Sequence, residues 1–157
     1  MTLDQVLREV AGRLDGSKAT ESDVRMLRAK LPAALMPDWL ADMLKRYNLA
    51  GASFELGEDR DLSKLGAYVL WLPAGEMLVE ASECEPGMTV VPSGFLPFGG
   101  CSVGSGDPYF FDMRQGSHDP PVVRIPHDYA GGKSYPLNRI ELVVPNLSKF
   151  FSMATVE

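Results

Sequence analysis

The sequence predicts an α+β domain in which helices pack on an antiparallel or mixed sheet of about six strands. Two observations, the spacing of apolar residues and the position of the prolines, carry this prediction. Apolar residues recur at helical spacing through about the first fifty residues, and after Gly51 the apolar runs become short, rich in aromatic or β-branched residues and separated by turn residues. Ten of the twelve prolines lie at or after Pro73. Helices gathered first, followed by strands that mostly do not alternate with helices, are typical of the α+β class.

Three helices are expected in the first third of the chain. The first, over residues 2–15, starts at a capping box that Thr2 and Gln5 can form. The second starts at Thr20, which has an acidic residue three positions later, and the third starts near Pro37, because proline suits the first turn of a helix.

The second part of the chain is expected to form the sheet. The six strand candidates are ASFEL, AYVLWL, GFLPFG, PYFFDM, PVVRIPH and RIELVV. In the fourth candidate, Tyr109 and Phe111 alternate with Phe110 and Asp112. This alternation predicts a half-buried central strand.

Two further helices are expected after residue 51. In GEMLVEASECE, residues 75–85, apolar side chains share one face and glutamates the opposite face, which favours an amphipathic helix over a strand. A last helix is expected at NLSKFFSM, where Asn146 is a suitable N-cap residue. The sequence therefore predicts a single domain over residues 1–157, with N-terminal, middle and C-terminal helices packed against the sheet.

The net charge of −6 comes from one segment of the chain. Residues 54–85 hold eight acidic side chains against Arg60 and Lys64, and the rest of the sequence balances to zero. Direct nucleic-acid binding needs clustered Lys and Arg and is not expected. The segment predicts either a basic protein partner or a solvated surface. Its candidate partner-binding residues are Glu58, Asp59, Asp61, Glu76, Glu80, Glu83 and Glu85.

A cytoplasmic protein without membrane contact is expected. The N-terminal sequence MTLDQVLREV lacks the basic and continuously apolar regions of a signal peptide, and no apolar stretch approaches the roughly 20 residues of a membrane helix. Cys84 and Cys101 lack the spacing of a disulfide framework or a structural zinc site, so no disulfide is expected.

The segment FGGCSVGSGDPYFFD, residues 98–112, is a candidate functional loop, because glycine-rich turns before an acidic residue can bind phosphate or expose a reactive group. A phosphate site is not expected, since the segment has no lysine and leads into a strand candidate rather than a helix. The simplest interpretation is a fold-defining turn that needs unusual backbone angles. The residues of this turn are Gly99, Gly100, Gly104, Gly106 and Asp107.

Two chemical alternatives stay open for the same region. Cys101 could act as a thiol nucleophile with His118 or His127 as its base. A metal could be held by carboxylate and imidazole groups, whose candidate members are Asp107, Asp112, His118 and His127. Neither pattern has the spacing of a recurrent motif, and the sequence predicts no catalytic residue, no metal and no cofactor.

The order of several motifs resembles a known family. The segments LP…YNLAG, FLPFGGCSVGSGDPYFFD, PPVVRIPHD and NLSKFF, over residues 31–151, are similar to the SUKH superfamily, whose members include the yeast cell-wall-synthesis regulator and many bacterial immunity proteins. Residues 48–51 read Asn-Leu-Ala-Gly where the family often has Asn-Gly-Gly, and the N-terminal helix is an addition to the family's core pattern.

The resemblance implies an α+β fold with a curved sheet backed by helices and no enzymatic activity. Similar bacterial members act as cytosolic antidotes that bind and block a toxin domain, often a nuclease. The resemblance therefore implies an immunity protein, and its acidic segment suits a basic toxin; a monomer or weak dimer is expected. An intracellular regulator or adaptor of the same fold is one alternative. A small thiol- or metal-dependent hydrolase centred on Cys101, Asp107 and His127 is the other.

Overall fold

The computed structural model describes residues 1–103, 106–129 and 134–157. In these ranges the chain forms six α-helices and seven strands, connected in several places by short 3-10 turns. The helices are α1 (Leu3–Val10), α2 (Glu21–Lys30), α3 (Asp38–Arg46), α4 (Ala74–Ser82), α5 (Gly87–Val90) and α6 (Leu147–Met153). The strands are β1 (Ser53–Leu56), β2 (Ala67–Trp71), β3 (Phe95–Cys101), β4 (Tyr109–Asp112), β5 (Val122–Arg124), β6 (Glu141–Val144) and β7 (Thr155–Val156).

The strands form one curled, antiparallel half-barrel sheet in the order β6-β5-β4-β3-β2-β1-β7. The predicted α+β class is confirmed, and each of the six predicted strands is present. The seventh strand, β7, pairs with β1 at one edge, where Val156 lies opposite Phe54. The sequence did not indicate β7, because two residues are too few to show an alternation of apolar and polar side chains.

Local capping interactions start the first two helices. The Thr2 hydroxyl accepts the backbone N–H of Gln5 at 3.2 Å, and the Thr20 hydroxyl accepts that of Asp23 at 3.0 Å. Both are capping boxes, because the side chain of the third helical residue in turn accepts a hydrogen bond from the backbone N–H of the capping threonine. The first helix is shorter than predicted, because its α-helical part ends at Val10 and a tight turn follows. None of the described helices is long and apolar enough to cross a membrane.

An aromatic cluster fills the space between the sheet and the helices. Phe98 and Phe111 stack with ring centroids 4.1 Å apart and planes inclined by 9°. Trp71 is completely buried and meets Phe98 edge-on at 4.8 Å. Phe150 and Phe151 bring α6 into the same cluster. These large buried rings therefore hold the C-terminal helix against the sheet.

The opposite face of the sheet is also covered. A second, smaller apolar cluster consists of Val90, Phe95, Phe110, Val123, Ile125 and Tyr135. Its strand residues alternate with those of the aromatic cluster, because successive residues of a strand point to opposite faces. Phe110 is fully buried, so the prediction of a half-buried central strand is wrong. The cause is tertiary: α5 and residues 134–140 pack over this face.

The glycine-rich segment is partly strand. Gly99 and Gly100 belong to β3 and pair with β2, so they do not form the predicted turn. A Cβ atom on Gly99 would lie 2.5 Å from Cγ1 of Val69. The two strands approach so closely here that only glycine fits without a shift of its neighbours. Gly106 has a φ angle of +84°, as the turn prediction requires. Gly104, also predicted for the turn, lies outside the described residues.

Candidate functional site

Helix α4 carries the acidic surface that the sequence predicted. Its inner face packs on the core through Ala74, Met77, Leu78 and Ala81. Its outer face carries Glu76, Val79, Glu80 and Glu83, which we call the acidic helix face. Helical spacing explains the arrangement, since positions three and four apart lie on the same side. Val79 is 43% exposed, so the face combines negative charge with an accessible apolar side chain.

The acidic helix face differs from several other surface carboxylates in having no ion pair among the described residues. Elsewhere, carboxylates lie within salt-bridge distance of a base, as in Asp4–Arg8, Glu21–Lys45, Asp38–Arg28 and Asp112–Arg114. Residues 74–90 contain four glutamates and neither Lys nor Arg. The face therefore presents negative charge that no described base pairs with at salt-bridge distance, which favours long-range attraction of a basic partner.

Glu80 lies at the less exposed side of this face. Burial raises the pKa of its carboxyl group, an effect that the nearby His127 and Cys84 oppose in part. Burial and the Glu80 carboxylate together raise the pKa of the Cys84 thiol. A thiol with a raised pKa is a poor nucleophile, and no disulfide links Cys84 to the other cysteine. Cys84 is therefore suited to packing rather than to chemistry.

Substitution of Glu80 by glutamine should stabilise the protein near neutral pH. Because the folded-state pKa of Glu80 is raised, its stabilising contribution is complete below the unfolded-state pKa and is lost as the pH rises through the folded-state pKa. Glutamine does not ionise, so the variant does not lose this stability as the pH rises. The urea midpoint of E80Q should therefore exceed that of the wild type at about pH 7, and the difference should shrink toward about pH 4. E76Q on the same helix is the control, and a pH-independent difference for E80Q would contradict the assignment.

Among the other residues predicted to contact a partner, Glu58 and Asp59 are exposed, whereas Glu85 is held by internal hydrogen bonds. Glu58 and Asp59 are exposed in the loop between β1 and β2. Glu85 is half-buried, and its carboxylate accepts the backbone N–H of Thr89 at 3.1 Å and the Thr89 hydroxyl at 2.7 Å. Glu85 therefore fixes the junction between α4 and α5, while Glu58 and Asp59 stay accessible.

Asp61 requires a correction, because it is fully buried. Its carboxylate lies 3.2 Å from Nη2 of Arg124 and accepts the backbone N–H and the hydroxyl of Ser63, each at 2.7 Å. Arg124 also reaches Glu141 at 3.1 Å. An acid without exposed surface has no access to a partner, so Asp61 is not a contact residue. It fixes the loop between β1 and β2 to β5.

The candidate metal ligands do not come together. Oδ1 of Asp107 lies 2.8 Å from Nδ1 of His127 and accepts the His127 backbone N–H at 3.2 Å. His118 instead packs against Trp39, and Asp112 is held in a salt bridge two residues along the chain. Within the described residues, no group of three His, Cys, Asp or Glu side chains is arranged to hold a metal. Asp107 and His127 join two loops, which fits the predicted structural role of Asp107.

The candidate nucleophile Cys101 ends β3 and is half-buried. It lies close to Tyr109 of β4, whose hydroxyl pKa is raised by burial and to a smaller extent by this thiol. The Tyr109 hydroxyl oxygen accepts the backbone N–H of Tyr68 at 3.1 Å. The described residues after Cys101 form a turn and then β4. The thiol therefore has none of the activation that the N-terminus of a following helix would provide.

A surface feature that the sequence did not indicate is a groove between α1, α3 and residues 117–119, which we call the α1–α3 groove. Its volume is about 570 Å³. Its apolar and aromatic lining consists of Leu3, Leu7, Trp39, Met43 and Tyr47. In the sequence, these residues belong to the apolar stripes of two helices, and such stripes usually indicate core. Only the assembled structure shows that part of each stripe borders an open cleft.

Comparison with known proteins identified no relative: no protein-family model, no curated protein and no solved structure matches the chain. The resemblance to the SUKH superfamily therefore stays a prediction.

Proposed function

We propose that this protein is a non-catalytic protein-binding module of the SUKH type, an immunity protein that neutralises a cognate bacterial toxin with a basic surface, such as a nuclease. The observation that supports the proposal is the acidic helix face. It combines the charge of three glutamates, none of them in a salt bridge among the described residues, with the accessible side chain of Val79. Protein interfaces use such combinations, because charge guides the encounter and apolar contact adds affinity.

A toxin with a basic surface would account for the negative charge of the acidic helix face. An enzyme that binds nucleic acid presents Lys and Arg to the phosphates of its substrate. The acidic helix face, through Glu76 and Glu83, would compete for those side chains and block access to the toxin's active surface. The same charge repels nucleic acid and other acidic surfaces, which improves discrimination between partners. Under this proposal the protein acts in the bacterial cytoplasm and needs no catalytic group.

The direct test uses the proteins encoded by the genes adjacent to the gene for this chain, one of which the proposal expects to contain a toxin domain. We expect that toxin-domain protein and this chain to copurify when they are expressed together. Cells that express the toxin should survive only when this chain is also expressed. Absence of a complex and of protection would overturn the proposal. A stable complex without protection would favour a regulatory protein and would also overturn the immunity function.

Charge reversal on α4 tests the part assigned to the acidic helix face. The double variant E76K/E83K should associate with the toxin about tenfold more slowly at low salt, because steering by the face is reversed. Stopped-flow association measured over a range of salt concentrations gives this rate. The control E9K/D15K makes the same change of net charge at exposed positions outside α4. Equal slowing in the two variants would show that only net charge matters and would contradict a specific role of the face.

A further inference from the structure

We infer that the α1–α3 groove binds a small organic cation with an apolar body. This inference is independent of the proposed function, because no residue of the acidic helix face lines the groove. The groove volume of about 570 Å³ lies within the range of about 300–1,000 Å³ typical of small-molecule sites. Most of the exposed surface of the lining is apolar, as in many small-molecule sites, and polar or charged side chains supply the rest.

Aromatic rings form one wall of the groove. Trp39 of α3 and His118 face each other with ring centroids 6.0 Å apart and planes inclined by 30°. Helical spacing places Asp42 and Met43 within one turn of Trp39, so a carboxylate and a thioether lie beside the indole ring. The indole face attracts organic cations, and the surrounding apolar surface suits the body of such a ligand.

Among the described residues, one Lys or Arg side chain lines the groove, and it lies near a carboxylate that a second arginine also contacts. Asp4 lies 2.7 Å from a guanidinium nitrogen of Arg8 and 3.5 Å from one of Arg46, and it accepts the Tyr47 hydroxyl at 3.2 Å. Arg46 lines the groove, whereas Arg8 does not. Asp4 has a single negative charge and faces two guanidinium groups, so these three side chains together carry one positive charge. The groove region is nevertheless negative overall, because two further carboxylates line it.

Two further carboxylates line the groove. Asp42 is exposed, and neither Asp42 nor Asp119 forms an ion pair among the described residues. Asp119 accepts only neutral donors there, the backbone N–H of Ser148 at 2.8 Å and its hydroxyl at 2.6 Å. This charge favours a cation and disfavours phosphate or carboxylate ligands. An organic cation fits better than a metal ion, because no three His, Cys, Asp or Glu side chains among the described residues are arranged to hold a metal, and the indole ring offers a cation an aromatic face.

Three probes that share a phenyl group test the inference on the intact protein. They are phenethyltrimethylammonium, the neutral 3-phenylpropan-1-ol and the anion 3-phenylpropionate. Titration calorimetry and Trp39 fluorescence should show saturable binding of the cation, at least fivefold tighter than binding of the neutral probe. The anion should bind most weakly. No saturable binding of the cation, or equally tight binding of all three probes, would overturn the inference; equal binding would indicate a plain apolar surface for a protein partner.

Variants locate the binding in the groove. D42N removes a carboxylate at an exposed position and should weaken binding of the cation about fivefold, while binding of the neutral probe stays unchanged. D38N lies on the same helix, makes the same change of charge and does not line the groove, so it is the matched control. W39L should reduce binding further, provided that circular dichroism shows a folded protein. Unchanged affinity of the cation in D42N, or an equal loss in D38N, would overturn the assignment.

Discussion

Replacement of Arg124 by methionine should lower the free energy of unfolding by about 3–5 kcal/mol. The substitution leaves Asp61 fully buried without the base that compensates its charge. Methionine approximates the apolar part of the arginine side chain, so the loss arises mainly from the unpaired carboxylate and from the bonds to Ser63 and to the carbonyl of Gly66. Urea unfolding followed by the fluorescence of the buried Trp71 measures the change.

Two further variants separate charge burial from a general effect of the substitution. R28M breaks the Arg28–Asp38 pair, in which Asp38 is 96% exposed, and should cost no more than about 1 kcal/mol. D61N added to R124M should restore part of the lost stability, because the amide is neutral and keeps an oxygen for the Ser63 bonds. If R124M and R28M cost the same, or if D61N gives no recovery, the buried carboxylate is not the cause.

Replacement of Gly87 by alanine should destabilise the protein by about 2–3 kcal/mol. A Cβ atom at this position would overlap the backbone carbonyl of Glu80 and lie 3.3 Å from Cα of Ala81. The obstacle is the backbone of α4, which cannot rotate away as a side chain can. The variant should therefore also shift the acidic helix face, and under the proposed function binding of a toxin should weaken together with stability.

The control for G87A is G75A in α4, the helix whose backbone Gly87 contacts. A Cβ atom on Gly75 would meet nothing within 4 Å, and alanine is a better helix former than glycine. G75A should therefore stabilise the protein by about 0.5 kcal/mol. Urea midpoints of the two variants give the comparison. A loss below about 1 kcal/mol in G87A would show that α4 and α5 can separate at low cost and would contradict the close packing of their junction.

The parts of the fold that the sequence predicted depend on local signals. A capping threonine and its partner lie three positions apart, so the starts of α1 and α2 are visible in short windows of sequence. The amphipathic pattern of α4 likewise lies within nine residues. In contrast, α5 and β7 have four and two residues, and neither length allows a periodic pattern to appear.

The features that were missed depend on residues distant in sequence. Asp61 lies in a run of charged residues that resembles a solvated loop, and its partner Arg124 is 63 positions away. Nothing in the local pattern distinguishes this acid from the exposed Asp59. Phe110 is buried by segments that the sequence did not indicate, and the α1–α3 groove forms only where two helices and a distant loop meet.

The division of α4 into an inner and an outer face has an evolutionary consequence. Exposed side chains with few internal contacts usually tolerate substitution at a cost within about 0.5 kcal/mol. Positions 76, 79 and 83 are exposed and therefore have room to diverge while the buried residues of the inner face, Ala74, Met77, Leu78 and Ala81, stay unchanged. Under the proposed function, related proteins can therefore change the toxin-binding surface one residue at a time while α4 stays packed on the core.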